Sequence, residues 1–213
     1  MTVAIVSMHT PNYQPLADIT WQNKVDYADL HDYAHCCKTD NTYGLCIGFE
    51  KMYFIRDLMV DNPDIEWVWW VGCDTMITNY TIKVEDRIDP LYHFIVAMDV
   101  NDINVDSFFI RNSPEGRGFV DHIITLYPKY HDHKWCEQQA MIDSLEQFKS
   151  IVKTVPQRSF NSFNYELYPY QGSIDKFGLS GNWEPGDFLI HWPATPLVQR
   201  IQLAHYYNRQ IIK

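Results

Sequence analysis

Asp74 follows an apolar run. The segment EWVWWVGCDTMITN, residues 66–79, passes through three tryptophans and two valines to Gly72, then presents one carboxylate followed by small and polar residues. A carboxylate just past a buried strand can cap a helix, hold an ion pair or ligate a metal. The hard divalent cations manganese and magnesium favour oxygen, keep several waters and need few protein ligands, so one such Asp is a useful start. Two histidine–cysteine groups offer an alternative as zinc sites. His35, Cys36 and Cys37 with Cys46 lack zinc-finger spacing, and His131, His133 and Cys136 lie in a polar loop, so neither is adopted.

The totals bound what such a carboxylate serves. At 213 residues the chain fits one domain, residues 1–213, with 46% hydrophobic residues for a core and 15% aromatic residues to pack or to stack on ligands. Its formal charge of −10 repels phosphate backbones and argues against nucleic-acid binding. A nucleotide remains accessible to an acidic site if a divalent metal supplies the positive charge. The five cysteines are odd in number and irregular in spacing, which argues against a disulfide framework and for a reducing, cytoplasmic setting. No stretch approaches the roughly 18 apolar residues of a membrane span, and the N-terminus reads as a strand, not a signal peptide.

The elements that must position Asp74 read as α/β. Short apolar runs at 3–8, 66–71, 94–99, 106–111, 153–156 and 188–192 predict strands. Helices are predicted over 23–35, with Val25, Leu30, Tyr33 and Ala34 on its apolar side, and over 48–60, 114–127, 137–148 and 195–212. The run at 66–71 is too short and too apolar for a surface helix and predicts a strand covered on both faces. In such sheets ligands gather at the carboxyl ends of strands, where Asp74 stands.

Six blocks occur in order: NKVDYADLHDY at 23–33, EKMYFIRDLMVDNPDIEWVWWVGCDTMITN at 50–79, NVDSFFIRN at 104–112, EQQAMI at 137–142, VPQRSFNSF at 155–163 and GDFLIHWPA at 186–194. Together they resemble the galactosyl/mannosyl/xylosyltransferase family of plants and fungi, and more distantly the glycogenin-like sugar transferases. The resemblance implies a GT-A fold, a nucleotide-diphospho-sugar transferase with a mixed central sheet flanked by helices. It implies transfer of a sugar from a UDP-sugar donor to a hydroxyl of a glycan or glycoprotein acceptor, assisted by Mn2+ or Mg2+. Members usually carry an N-terminal anchor. This chain shows none, which reads as a soluble relative or an excised domain, as a glycosyltransferase of a large algal virus in its host cell would be.

The resemblance also assigns residues. Asp74 matches the last acid of an Asp-x-Asp metal triplet, with Gly72 where the first acid belongs. His191 matches a late histidine, the second metal ligand. A lysine usual a few residues later is missing, and Arg200 is the nearest replacement. Lys51 matches a cation that meets donor phosphate or sugar. Thr10 and Tyr13 look like the cradle of the nucleotide base, where Tyr13 would stack on uracil. Asn104, Asp106, Glu137 and Gln138 form the sugar side, with Gln138 beside the anomeric carbon. Asp106 stands where the family prefers glycine and Glu137 where it has aspartate. The resemblance implies retention of configuration. An added carboxylate at Asp106 could instead act as a general base and give inversion.

Three other functions share some of these features. A nucleotidyltransferase shares the strand-end Asp and the metal, but needs a phosphate-cradling glycine-rich loop, which MHTPNYQP at 8–15 lacks. A non-catalytic carbohydrate-binding module is suggested by the seven tryptophans, although burial explains their clustering in the central strand and near Trp192. A glycosidase would need paired carboxylates and no nucleotide.

Overall fold

A computed structural model describes residues 1–164, 172 and 174–213. The elements run β1 (Val3–Met8), α1 (Gln14–His31), β2 (Ala34–Lys38), α2 (Ile47–Asp61), β3 (Trp67–Val71), β4 (Thr75–Ile77), β5 (Phe94–Met98), β6 (Ile103–Arg111), α3 (Pro114–Thr125), α4 (Tyr127–Tyr130), α5 (Cys136–Ser144), β7 (Val152–Pro156), β8 (Ser162–Phe163), β9 (Leu189–His191) and α6 (Leu197–Asn208). Among the described residues no helix is long and apolar enough to cross a membrane.

The main sheet has the order β2-β1-β3-β6-β5-β7. β1 pairs in parallel with both β2 and β3, β6 runs antiparallel between β3 and β5, and β7 returns parallel to β5. The sheet is therefore mixed, as predicted. All five residues of β3 are buried, and their alternation feeds two cores. Val68 and Trp70 pack with α2, α3 and α5, while Trp67, Trp69 and Val71 pack against Tyr27, Phe109 and Phe188 on the other face. Period-two alternation with no polar face is the signature of a strand covered on both sides. A second sheet, β4-β9-β8, joins the turn after β3 to the C-terminal third of the chain.

Two sequence expectations change. The first helix spans 14–31, not 23–35, and Pro15 opens it, because proline's fixed φ suits the first turn. Its buried face holds Leu16, Ala17, Thr20, Asn23, Lys24, Tyr27 and Ala28, whereas Leu30 is exposed. The predicted apolar side was misplaced because polar residues face inward, each with backbone to bond. Asn23 Nδ2 donates to Ile77 O (2.9 Å) and its Oδ1 accepts the Ile77 N–H (2.8 Å), while Lys24 Nζ donates to Thr20 O and Thr75 O (3.2 and 2.8 Å). Residues 34–38 are a parallel edge strand, not the end of that helix.

The irregularity that shapes the site lies between β5 and β6. Val96 faces Phe108 but Ala97 faces Asn104, so residues 105–107 bulge out of the β5 ladder. Bulges re-aim side chains. Here the Val105 carbonyl turns to the Lys51 ammonium (2.9 Å) and the Asp106 carbonyl accepts the Gly72 N–H (2.7 Å).

Candidate active site

Beyond the carboxyl ends of β1 and β3 lies a cleft of about 390 Å3. Thr10 and Tyr13 line it after β1, Gly72, Cys73 and Asp74 after β3, Asp106 from β6, Lys51 from α2, Glu137 and Gln138 from α5, and Arg200 from α6. Of the site residues expected from the sequence, His191 and Asn104 do not line it. Asn104 is bonded within the bulge. Its amide donates to Asp99 Oδ2 (3.1 Å) and its carbonyl accepts the Asp106 N–H (3.1 Å), so it braces the bulge and does not line the cleft.

Three groups meet at the end of β3. His191 Nε2 lies 3.5 Å from Asp74 Oδ2 and 3.5 Å from Asp106 Oδ2. Each residue offers one ligand atom, and the three atoms lie within 4.8 Å of one another. The register of the small sheet makes this meeting, since Thr75 pairs with His191 across β4 and β9. His191 is fully buried, and its Nε2 has no hydrogen-bond partner. Its Nδ1 lies 2.9 Å from Asn161 Oδ1. With the amide in this orientation Nδ1–H donates to Asn161, and Nε2 is left facing both carboxylates. A buried nitrogen without a partner is costly unless something fills the space before it. Two carboxylates and one neutral imidazole suit a divalent cation, whose neighbouring octahedral ligands lie about 3 Å apart, so the residues present fit such an ion.

The two carboxylates differ. Burial opposes ionisation of Asp74, but His191 and the Arg200 guanidinium, whose Nη2 lies 3.1 Å from Asp74 Oδ2, hold its carboxyl well below the usual range. Burial and the neighbouring Asp74 charge push Asp106 up. Arg200 therefore reaches the site from α6, where it also donates to Trp192 O (2.9 Å) and to the Tyr13 hydroxyl (3.3 Å). Cys73 also lines the cleft, its thiol pKa pushed up to about 12 by burial and by Asp74.

Residues that sequence reasoning missed hold the turn from behind. Thr20 Oγ1 donates to Cys73 O (2.7 Å), Lys24 takes Thr75 O, and Asn161 fixes His191. Asn161 lies inside VPQRSFNSF, where the resemblance assigns it no role. Thr20 and Lys24 have no local signal, because their partners are some fifty residues away in sequence.

On the sugar side Lys51 Nζ and Glu137 Oε1 form a buried ion pair at 2.7 Å, with Lys51 over the Trp70 ring. Gly48 makes room for it, since a Cβ there would fall 1.5 Å from Glu137 Oε2. Cys46, just before α2, is bonded to Cys136, the first residue of α5. This corrects the expectation of unpaired cysteines and removes Cys46 and Cys136 from the two zinc groupings. Among the described residues Asp74, Asp106 and His191 are the one such group that converges.

A mixed sheet carrying this constellation at its strand ends is the GT-A glycosyltransferase fold. A glycosyltransferase involved in glycosylating the major capsid of PBCV-1 superposes with a TM-score of 0.77 at 15% identity, over 97% of this chain and 100% of that one. The galactosyl transferase GMA12/MNN10 family matches residues 1–90 and 89–195, and the chain belongs to that family. It is 28% identical over 196 residues to an alpha-1,2-galactosyltransferase of Schizosaccharomyces pombe, covering 71% of this chain and 52% of that protein. It is 25% identical over 185 residues to the probable alpha-1,6-mannosyltransferase MNN10 of Saccharomyces cerevisiae, covering 68% and 47%. The chain spans about half the length of these curated relatives.

Proposed function

We propose that residues 1–213 form a glycosyltransferase domain that moves a hexosyl, pentosyl or deoxyhexosyl unit from a UDP-sugar to a hydroxyl of a glycan or glycoprotein, with retention of configuration and with Mn2+ or Mg2+. The observation that carries this reading is the buried, unpartnered His191 Nε2 facing Asp74 beside an open cleft. Family membership supports the reaction class, and the relatives named above transfer galactose or mannose by name.

Asp74 and His191 would hold the cation. When bound, it neutralises charge that develops on the diphosphate leaving group without a proton transfer. The protein's own groups do the rest. Tyr13 and Thr10 receive the base at the end of β1. Arg200 adds a fixed positive charge beside Asp74, in the place where the family pattern has lysine. Lys51 holds Glu137 against α2, so that Glu137 presents its free edge to donor-sugar hydroxyls and Gln138 lies by the anomeric carbon. Orienting bound reactants in this way lowers the entropic part of the barrier.

Thermal unfolding with UDP, with and without Mn2+, tests the reading. Ligand that binds only the folded state at a hundredfold excess over Kd adds about 2.7 kcal/mol. The shift is expected with both present and lost in Asp74→Ala and His191→Ala. No shift at millimolar UDP and Mn2+ rejects it. Hydrolysis of a panel of UDP-sugars then identifies the donor. Pyrophosphate release from UTP and a sugar 1-phosphate would instead make the protein a nucleotidyltransferase.

A further inference from the structure

The carboxylate of Asp106 and the missing side chain of residue 72 compete for one space. Gly72 closes β3, and its N–H is bonded to the Asp106 carbonyl on the neighbouring strand. A Cβ built on Gly72 would lie 3.2 Å from Asp74 Oδ1 and 3.4 Å from Asp106 Oδ1. A side chain at 72 would therefore begin in contact with the carboxylates of both Asp74 and Asp106. Asp106 Oδ2 stands 3.5 Å from His191 Nε2, the same distance as Asp74 Oδ2. Among the described residues the Asp106 carboxylate pairs with no lysine or arginine within 4.0 Å, whereas Asp74 has Arg200. The β6 bulge carries Asp106 to this point. The second, independent observation is the orphaned His191 nitrogen, wholly buried and aimed between the two carboxylates.

We propose that Asp106 is a direct ligand of the divalent cation, supplying from β6 the carboxylate that position 72 of β3 does not have. This rests on the metal-assisted reading above and specifies its ligand set: Asp74 and Asp106 from adjoining strands, with His191 from the small sheet. The cation then bridges two segments that a single triplet would not join. Carboxylates at positions 72 and 106 are interchangeable, while both together would crowd three acids around one imidazole. Asp106 is thereby a ligand and not a general base.

The test is Mn2+ binding without any donor, followed by the loss of the free-ion electron paramagnetic resonance signal and by calorimetry. Loss even of a residue that only orients a ligand costs about 10- to 100-fold in metal affinity. Asp106→Gly is expected to weaken Mn2+ binding by about 100-fold or more. Asp106→Asn, which keeps the volume and removes the charge, is expected to weaken it in the same direction. The exchange Gly72→Asp with Asp106→Gly is expected to recover most of the affinity. Wild-type affinity in both Asp106 variants, with loss in Asp74→Ala, overturns this inference and leaves the UDP-sugar reading standing. Loss in Asp106→Gly without recovery in a folded exchange variant also overturns it. If the exchange variant does not fold, Asp106→Asn decides. Wild-type protein that binds no Mn2+ overturns the metal reading itself.

Discussion

Lys51 and Glu137 are held 2.7 Å apart with almost no exposed surface, one on α2 and the other on α5, and Gly48 supplies the gap that lets them meet. Breaking a buried pair from one side leaves an uncompensated charge, which costs about 3–5 kcal/mol. Lys51→Met is therefore expected to lower unfolding free energy by about 3 kcal/mol in urea titrations. The double variant Lys51→Met with Glu137→Leu is expected to recover most of that loss. Gly48→Ala is expected to displace the Glu137 carboxylate and to raise the KM for the donor more than it lowers stability.

Lys24 makes stability depend on pH. Burial lowers its pKa from 10.5 to about 8, against the pull of Cys73, Cys37 and Asp74. The unfolded chain then binds more protons than the folded one between pH 8 and 10.5. The cost of burying the charged form is fully present below pH 8 and is relieved as pH rises through that value. Buried tyrosines and Cys73 titrate with the opposite sign at higher pH, so the difference between wild type and Lys24→Met isolates the effect. That difference is expected to move by about 1 kcal/mol in favour of wild type from pH 7 to 9, measured by denaturant unfolding. A flat difference would mean that Lys24 keeps its proton up to pH 9 and that burial does not lower its pKa.

Asn161 touches no cleft space but fixes the ring of His191. Removing such an orienting partner lowers metal affinity by about 10- to 100-fold. Asn161→Ala is expected to weaken Mn2+ binding within that range while far-ultraviolet circular dichroism stays unchanged. The same variant is expected to leave UDP binding without metal unaltered.

The Cys46–Cys136 bond gives a thiol count that can be checked directly. Cys36, Cys37 and Cys73 remain free, so denatured, unreduced protein is expected to titrate three thiols and reduced protein five. The native protein is expected to react slowly at Cys37 and Cys73, whose pKa values burial pushes up to about 11 and about 12. Replacing Cys46 and Cys136 with serine is expected to cost about 2–4 kcal/mol, seen as a lower melting temperature.

Much of this architecture was legible because apolar periodicity is a local signal. β1, β3, β5 and β7 were placed within a residue or two, as was α2, since each sends hydrophobic residues inward at its own period. The first helix was not, because Asn23 and Lys24 face inward to bond Ile77 and Thr75, and no hydropathy pattern marks a buried lysine. β4 and β8, at three and two residues, are strands only by virtue of β9. At the site, Asp74 and His191 are marked by the family-like segments at 50–79 and 186–194. The closeness of Gly72 and Asp106 was not visible, because the two strands touch only through the fold.

The small sheet has a consequence for how the chain matures. His191 reaches Asp74 only through the pairing of β4 with β9, strands that leave the ribosome far apart in time. Until residues 189–191 have emerged, the acid at the end of β3 stands without its imidazole. Contacts of such long sequence separation close late in folding. Asp74, Asp106 and His191 thus cannot form one group before β9 has docked.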